Sequence, residues 1–96
     1  MSILDIITAI PAAQQANLTI QQCQNVADVS LSNQSLTATQ LINQLDSGMI
    51  SKDEFQDLML DLKAQVDANN AAQMEQIKEA LSQAINLIMV VASTYI

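Results

Sequence analysis

Leu36-Thr37-Ala38-Thr39-Gln40-Leu41-Ile42-Asn43-Gln44-Leu45-Asp46-Ser47-Gly48-Met49-Ile50-Ser51-Lys52-Asp53-Glu54-Phe55 is the stretch that decides the fold. It carries two helix-start signals around the one glycine of the chain. Ser51 can cap a helix, with Glu54 three residues on to complete a capping box and Ile50 and Phe55 placed as a hydrophobic staple. Thr37 repeats the pattern, with Gln40 as box partner and Leu36 and Leu41 as staple. Gly48 sits where a helix C-terminus needs a left-handed residue, a conformation that a side chain with a Cβ resists. These signals predict a tight helical hairpin over 37–66, built on Leu41, Leu45, Gly48, Ile50, Phe55 and Leu58.

Outward from the hairpin, the rest of the chain also reads as helix. Ser2, with Asp5 three residues later, starts a short helix over 2–10 with Ile3, Ile6, Ile7 and Ile10 as its apolar stripe. Pro11 ends it and suits the first turn of the next. Ala13, Ala16, Ile20, Cys23 and Ala27 recur at spacings of three and four, which predicts a helix over 12–29 with a narrow face of small residues, widened by Val26 and Val29. Ser30-Leu31-Ser32-Asn33-Gln34-Ser35 reads as a loop. On the far side, Phe55, Leu58, Met59, Leu62 and Val66 form an inward face. Asp67 to Gln76 is nearly all polar or Ala. Met74, Ile77, Leu81, Ile85 and Ile88 then restore the stripe. One long helix from Lys52 to about Ala92 with a wet middle is the preferred reading; a break near Asn69-Asn70, leaving a C-terminal helix over 71–93, is the other. The expected fold is a single all-α domain, a small helical bundle that assembles with other copies.

Composition narrows the function. Ninety-six residues suit one small domain, in which roughly 60 to 65% of the unfolded chain's surface can be buried. Half the residues are apolar, yet Phe55 and Tyr95 are the only aromatics, so the core must be built from aliphatic side chains. Ten acids face three lysines, with no arginine or histidine, and the net charge is −7. That balance argues against a nucleic-acid backbone and against an anionic membrane surface as partner. Gln and Asn crowd the first third of the chain and give a wettable surface with little self-repulsion.

Few residues could do chemistry. Cys23 stands alone on an apolar helix face, so an inert buried thiol is expected rather than a disulfide or a nucleophile. Asn43 to Glu54 superficially follows the spacing of a calcium loop, but Leu45 falls at a ligand position and only one carboxylate is well placed. Asp53, Asp57 and Asp61 share one helical face and read as solvated acids. No catalytic, metal or cofactor residues are assigned, and enzymatic activity is not expected. No secretory signal is read at the start of the chain. Ala80 to Ile96 carries no charge, but its unbroken apolar run, Leu87 to Ala92, falls short of the ~20 residues that a membrane span needs.

The stretch Leu41 to Phe55, followed by Leu58 to Lys63, resembles the short helical hairpin called the SHOCT domain. That pattern has leucines, a small-Gly-x-Ile-Ser/Thr turn, then Glu-Phe and a helix rich in Lys and Leu. The resemblance covers about a quarter of the chain and implies oligomerisation; the family carries the hairpin at a C-terminus, whereas here it is central. The hairpin is also similar to those of small bacteriophage proteins. The leading expectation is therefore a structural subunit of a large assembly, a phage virion or tail component, whose C-terminal face of Leu81, Ile85, Ile88, Val91, Tyr95 and Ile96 docks on a neighbouring copy or another protein. A cytoplasmic adaptor is the second expectation, with a groove between the hairpin and helix two and an acidic face that meets a basic partner. The third is a membrane-associated component inserted through its C-terminal segment.

Overall fold

A computed structural model describes residues 2–70 and 74–96. They form five helices, α1 (Ile3–Ala9), α2 (Pro11–Gln22), α3 (Val29–Asp46), α4 (Lys52–Asp67) and α5 (Glu75–Tyr95), with a 3-10 turn at Cys23–Asn25 after α2 and no strand. This is the expected small all-α bundle.

Local chemistry sets most of the helix ends. Ser2 accepts the Asp5 N–H at 3.3 Å and so caps α1. The Leu4 N–H donates to the Asp46 carboxylate at 3.2 Å, which ties the start of α1 to the end of α3. Ile10 is extended, and Pro11 opens α2 as expected. Around Gly48, the Gly48 N–H reaches the Leu45 carbonyl (3.2 Å) and the Met49 N–H the Gln44 carbonyl (2.9 Å). With φ +78° at Gly48, these two bonds make a complete Schellman end for α3. Four residues beyond Ser47 the capping box closes: the Glu54 N–H donates to Ser51 Oγ and the Ser51 N–H to Glu54 Oε1, both at 3.1 Å.

The second half of the expected 12–29 helix is corrected. α2 stops at Gln22, the chain tightens into the 3-10 turn, and Val26 is extended. Asp28 then accepts the Leu31 N–H at 2.9 Å and starts α3. The expected loop over Ser30–Ser35 and the expected start at Thr37 are therefore both overturned. The serines that read as loop formers are spent on tertiary bonds. Ser35 Oγ donates to the Ile20 carbonyl, fully buried between α3 and α2. Ser32 Oγ donates to the Gln24 carbonyl at 2.6 Å. Thr37 lies inside the helix and donates back to the Asn33 carbonyl at 3.0 Å, the usual role of a mid-helix threonine.

The single long helix is also corrected. α4 ends at Asp67 with Ala68 as its cap, and α5 begins at Glu75; the start of the expected 71–93 helix, residues 71–73, lies outside the described residues. α5 returns antiparallel along α4. Lys52 Nζ donates to the Ser93 carbonyl (3.3 Å), Gln56 Nε2 to the Met89 carbonyl (2.9 Å) and Ser82 Oγ to Asp67 (2.5 Å). Lys78 satisfies the end of α4 by donating to the Asp67 and Asn69 carbonyls at 3.2 and 3.3 Å, acceptors that a helix terminus leaves without an internal partner. The physical reason for the break is burial. The polar stretch after Val66 has nothing to bury, whereas folding back sets two apolar stripes against each other.

The helices close a ring, α2 to α3 to α4 to α5 and back to α2, in an up-down-up-down order. α1 packs against α2, α3 and α5, at the end where α3 and α5 finish. Its Ile3, Ile6 and Ile7 join Phe55, Met59, Ile20 and Leu31 in one core. Leu81, Ile85, Ile88 and Val91 lie in that same core, so the expectation that they face a neighbouring copy is corrected. Leu58, expected to point inward, is 44% exposed on the α3 side of α4.

These helix starts carry measurable consequences. Asp28→Ala should destabilise the protein by about 1 kcal/mol through loss of the α3 cap, and Thr37→Ala should stay within about 0.5 kcal/mol. Equilibrium urea unfolding monitored by circular dichroism separates the two, since a helix that started at Thr37 would reverse their order. Gly48→Ala meets no atom within 4 Å, so its cost is backbone strain alone, about 1 to 2 kcal/mol, and the same urea experiment should show it without a change in slope.

Candidate functional site

Side chains that could do chemistry are mostly engaged in holding the fold. Lys52 and Lys78 bond to backbone carbonyls of other segments. Lys78 also pairs with Glu75 at 3.5 Å, and Lys63 pairs with Asp67 at 3.0 Å. Cys23 is buried, and burial pushes its thiol up from the ordinary value, which disfavours the nucleophilic thiolate. Every buried side-chain polar atom among the described residues has a hydrogen-bond partner. No group of three metal-ligating side chains converges among them.

The fold shifts the titration of the Asp67 carboxyl. The Ser82 hydroxyl holds it below its ordinary value of 3.8, helped by the Lys63 ammonium. Ser82 is buried and Asp67 is exposed, so this pair anchors the start of α5 to the end of α4 from the solvent side. It is a structural latch rather than a site.

Among the described residues, surface depressions lie between α3 and α4 and between α2 and α5. The larger, about 370 Å³, runs between α3 and α4, the two arms of the Gly48 hairpin. Leu41, Leu58 and Leu62 form its apolar part, and Asn33, Thr37 and Asp61 stand along its polar walls. The smaller, about 240 Å³, lies between α2 and α5 over Ala12, Ala16, Ala80, Ala84 and Leu87. It follows from the small-residue face of α2, which lets α5 come close. The α3–α4 groove lies within the hairpin itself, between its two arms.

Charge is segregated around α4. Lys52 and Gln56 face α5, as their bonds to Ser93 and Met89 show. Asp53, Asp57 and Asp61 are spaced four residues apart and exposed; of the three, Asp61 enters the wall of the α3–α4 groove.

Of the residues expected to form the hairpin, Leu41 and Phe55 are buried, Leu45 and Ile50 pack against the core from a half-buried position, and Gly48 makes the turn. Of those expected at an interface, Tyr95 and Ile96 remain exposed, at 59% and 45%. Met49 is 74% exposed. The Lys52–Ser93 bond fastens the start of α4 to the end of α5, so Met49, Tyr95 and Ile96 crown one end of the bundle. No described helix is long and apolar enough to cross a membrane. The exposure of Leu58 was not readable from spacing, because it falls on the apolar stripe of α4 with Phe55 and Leu62.

The Asp67–Ser82 latch has a pH signature. Because the folded carboxyl titrates below its unfolded value, its contribution to stability is present above the unfolded value and fades as pH falls through the folded one. Ser82→Ala should cost about 1 kcal/mol near neutral pH. In urea titrations from pH 7 to pH 2.5, the gap between the variant and the parent protein should narrow below the ordinary aspartate range, and a constant gap would show that the hydroxyl acts on something other than the ionised carboxylate.

No protein-family model, no curated protein and no solved structure matches this chain.

Proposed function

We propose that this protein is a non-enzymatic assembly subunit of a larger protein complex, in its most specific form a component of a bacteriophage virion or tail. The observation that carries the reading is the apolar crown of Met49, Tyr95 and Ile96 at one end of the bundle. Large apolar side chains exposed at one end of a small bundle suit contact with another protein. The amide-rich, weakly charged surface of α2 and α3 supports the same reading, since it allows close packing of neighbours. So does the resemblance of the Gly48 hairpin to the SHOCT hairpin, a family linked to oligomerisation. With no histidine or arginine and its lysines engaged in the fold, the chain offers little for acid-base or nucleophilic chemistry.

A cytoplasmic adaptor with an acidic face is the second reading. The observation that favours it is the exposed row of Asp53, Asp57 and Asp61 on α4, of which Asp61 lines the α3–α4 groove.

Light scattering after size exclusion distinguishes the two. Deleting the last ten residues is a poor probe, because Ile88, Val91 and Ala92 belong to the core. Met49→Glu with Tyr95→Glu leaves the core untouched. The assembly reading expects the parent protein to form a defined oligomer, or to join one with its neighbouring structural protein, and the double variant to stay monomeric with an unchanged melting temperature. A parent protein that remains monomeric at millimolar concentration, alone and with a candidate neighbour, would move the adaptor reading to first place.

A further inference from the structure

The α3–α4 groove combines an open apolar floor with a one-sided charge. Its Leu41 and Leu62 are 8% and 4% exposed, whereas Leu58 between them is 44% exposed. The fold therefore leaves a leucine standing in the groove that its own core does not cover. On the α3 side the wall is neutral: Ser30, Asn33, Gln34 and Thr37 line it, and no charged side chain occurs from Val29 to Leu45. On the α4 side the wall carries one acid, Asp61, and the exposed Asp57 stands one turn before it. No lysine lines the groove. Lys52 bonds to the Ser93 carbonyl of α5, and Lys63 pairs with Asp67, so the nearest cations of the chain do not neutralise these acids.

We infer that this groove receives a basic amphipathic helix from a partner protein. The seam between two antiparallel helices accepts a third helix by ridges-into-grooves packing. The lining runs from Ser30 to Leu41 on α3, which at 1.5 Å per residue is roughly 16 Å, or about three turns of a docked helix. Leucines or isoleucines at spacings of three and four would rest on Leu58 and Leu62. Lysines or arginines on one flank would meet Asp61 and Asp57, and the other flank would meet amides. A second copy of this chain is the wrong occupant on charge, since each copy carries −7 and has no lysine-rich apolar helix to offer. The inference rests on the reading of this protein as a protein-binding subunit and names the partner chemistry of one face.

The probe is a capped 14-residue peptide of Leu, Lys and Ala with leucines at positions 1, 4, 8 and 11 and lysines along one flank, titrated into ¹⁵N-labelled full-length protein. The expected result is amide shifts concentrated at Thr37, Leu41, Leu58, Asp61 and Leu62. Leu58→Gln should weaken binding about fivefold, the change that about 1 kcal/mol of lost apolar contact produces. Asp57→Asn with Asp61→Asn should weaken it by a similar factor and flatten its dependence on salt. All three substituted positions are exposed, so each variant should melt at the parent temperature, which is measured alongside. Shifts spread over Asp5, Glu75 and Glu79 and indifferent to Leu58→Gln would overturn the inference as unspecific charge attraction. Equal binding of a peptide with glutamate in place of lysine would overturn its charge basis. Groove shifts that grow with protein concentration alone would assign the groove to a second copy, and no shift at millimolar peptide would leave it without the inferred partner. The apolar crown is tested separately by mass, so a chain that oligomerises but ignores the peptide loses this inference and keeps the assembly reading.

Discussion

Everything in this bundle depends on the fold-back of α5 against α4. Leu81, Ile85 and Ile88 are fully buried, and they reach that state because the helix reverses after Asp67 instead of continuing. With only two aromatics in the chain, the core gains most of its stabilisation from aliphatic burial at roughly 25 cal/mol per Å², which requires several helices to share one interior. α5 is the element that makes this possible, since it touches α2 on one side and α4 on the other. Without it, α2 and α4 would lose a common neighbour and the ring would open.

The polar bonds around that core guide it rather than drive it. Asp46 holds the start of α1, Ser35 and Ser32 hold α3 to the segment before it, and Lys78 and Ser82 close the α4–α5 junction. Each joins a side chain to a group in another element. A neutral hydrogen bond of this kind contributes about 1 kcal/mol net, small against core burial, but its geometry decides which helix meets which. Asp28, Asp46, Lys52 and Lys78 are thus occupied at helix ends, whereas Asp57 and Asp61 stay exposed along the middle of α4.

Much of the fold could be read from the chain because its strongest signals are local. The Gly48 turn, the Ser51–Glu54 box, the Ser2 start and the Pro11 break each involve residues within a few positions of one another, and the structure reproduces all four. The misreadings share a different cause. Ser30–Ser35 looks like a loop because serine and asparagine compete with helical hydrogen bonds, yet Ser35 and Ser32 find their partners in a segment that spacing does not reveal. Thr37 with Gln40 has the form of a capping box, and Asp28 wins the helix start because it lies where the chain turns after Val26. The long helix failed for a similar reason. Helical periodicity is the same whether a stripe continues straight or folds back on itself, so the stripe of α5 could be recognised but not its partner.

The same ambiguity governs the candidate surfaces. An apolar stripe at helical spacing says that something must cover it, and the identity of the cover is a tertiary fact. For Leu81, Ile85, Ile88 and Val91 the cover is the chain's own core, and the part of the stripe that remains free is its end, Tyr95 and Ile96. For α4 the apolar face is wider than its neighbours can use, and Leu58 is what remains between α3 and solvent. Other large apolar side chains, Leu18, Val29, Leu36, Leu60 and Val90, are exposed as well, so exposure by itself marks no surface. What sets Leu58 apart is its place in the α3–α4 groove beside Asp61, and the inferred helix contact rests on that juxtaposition.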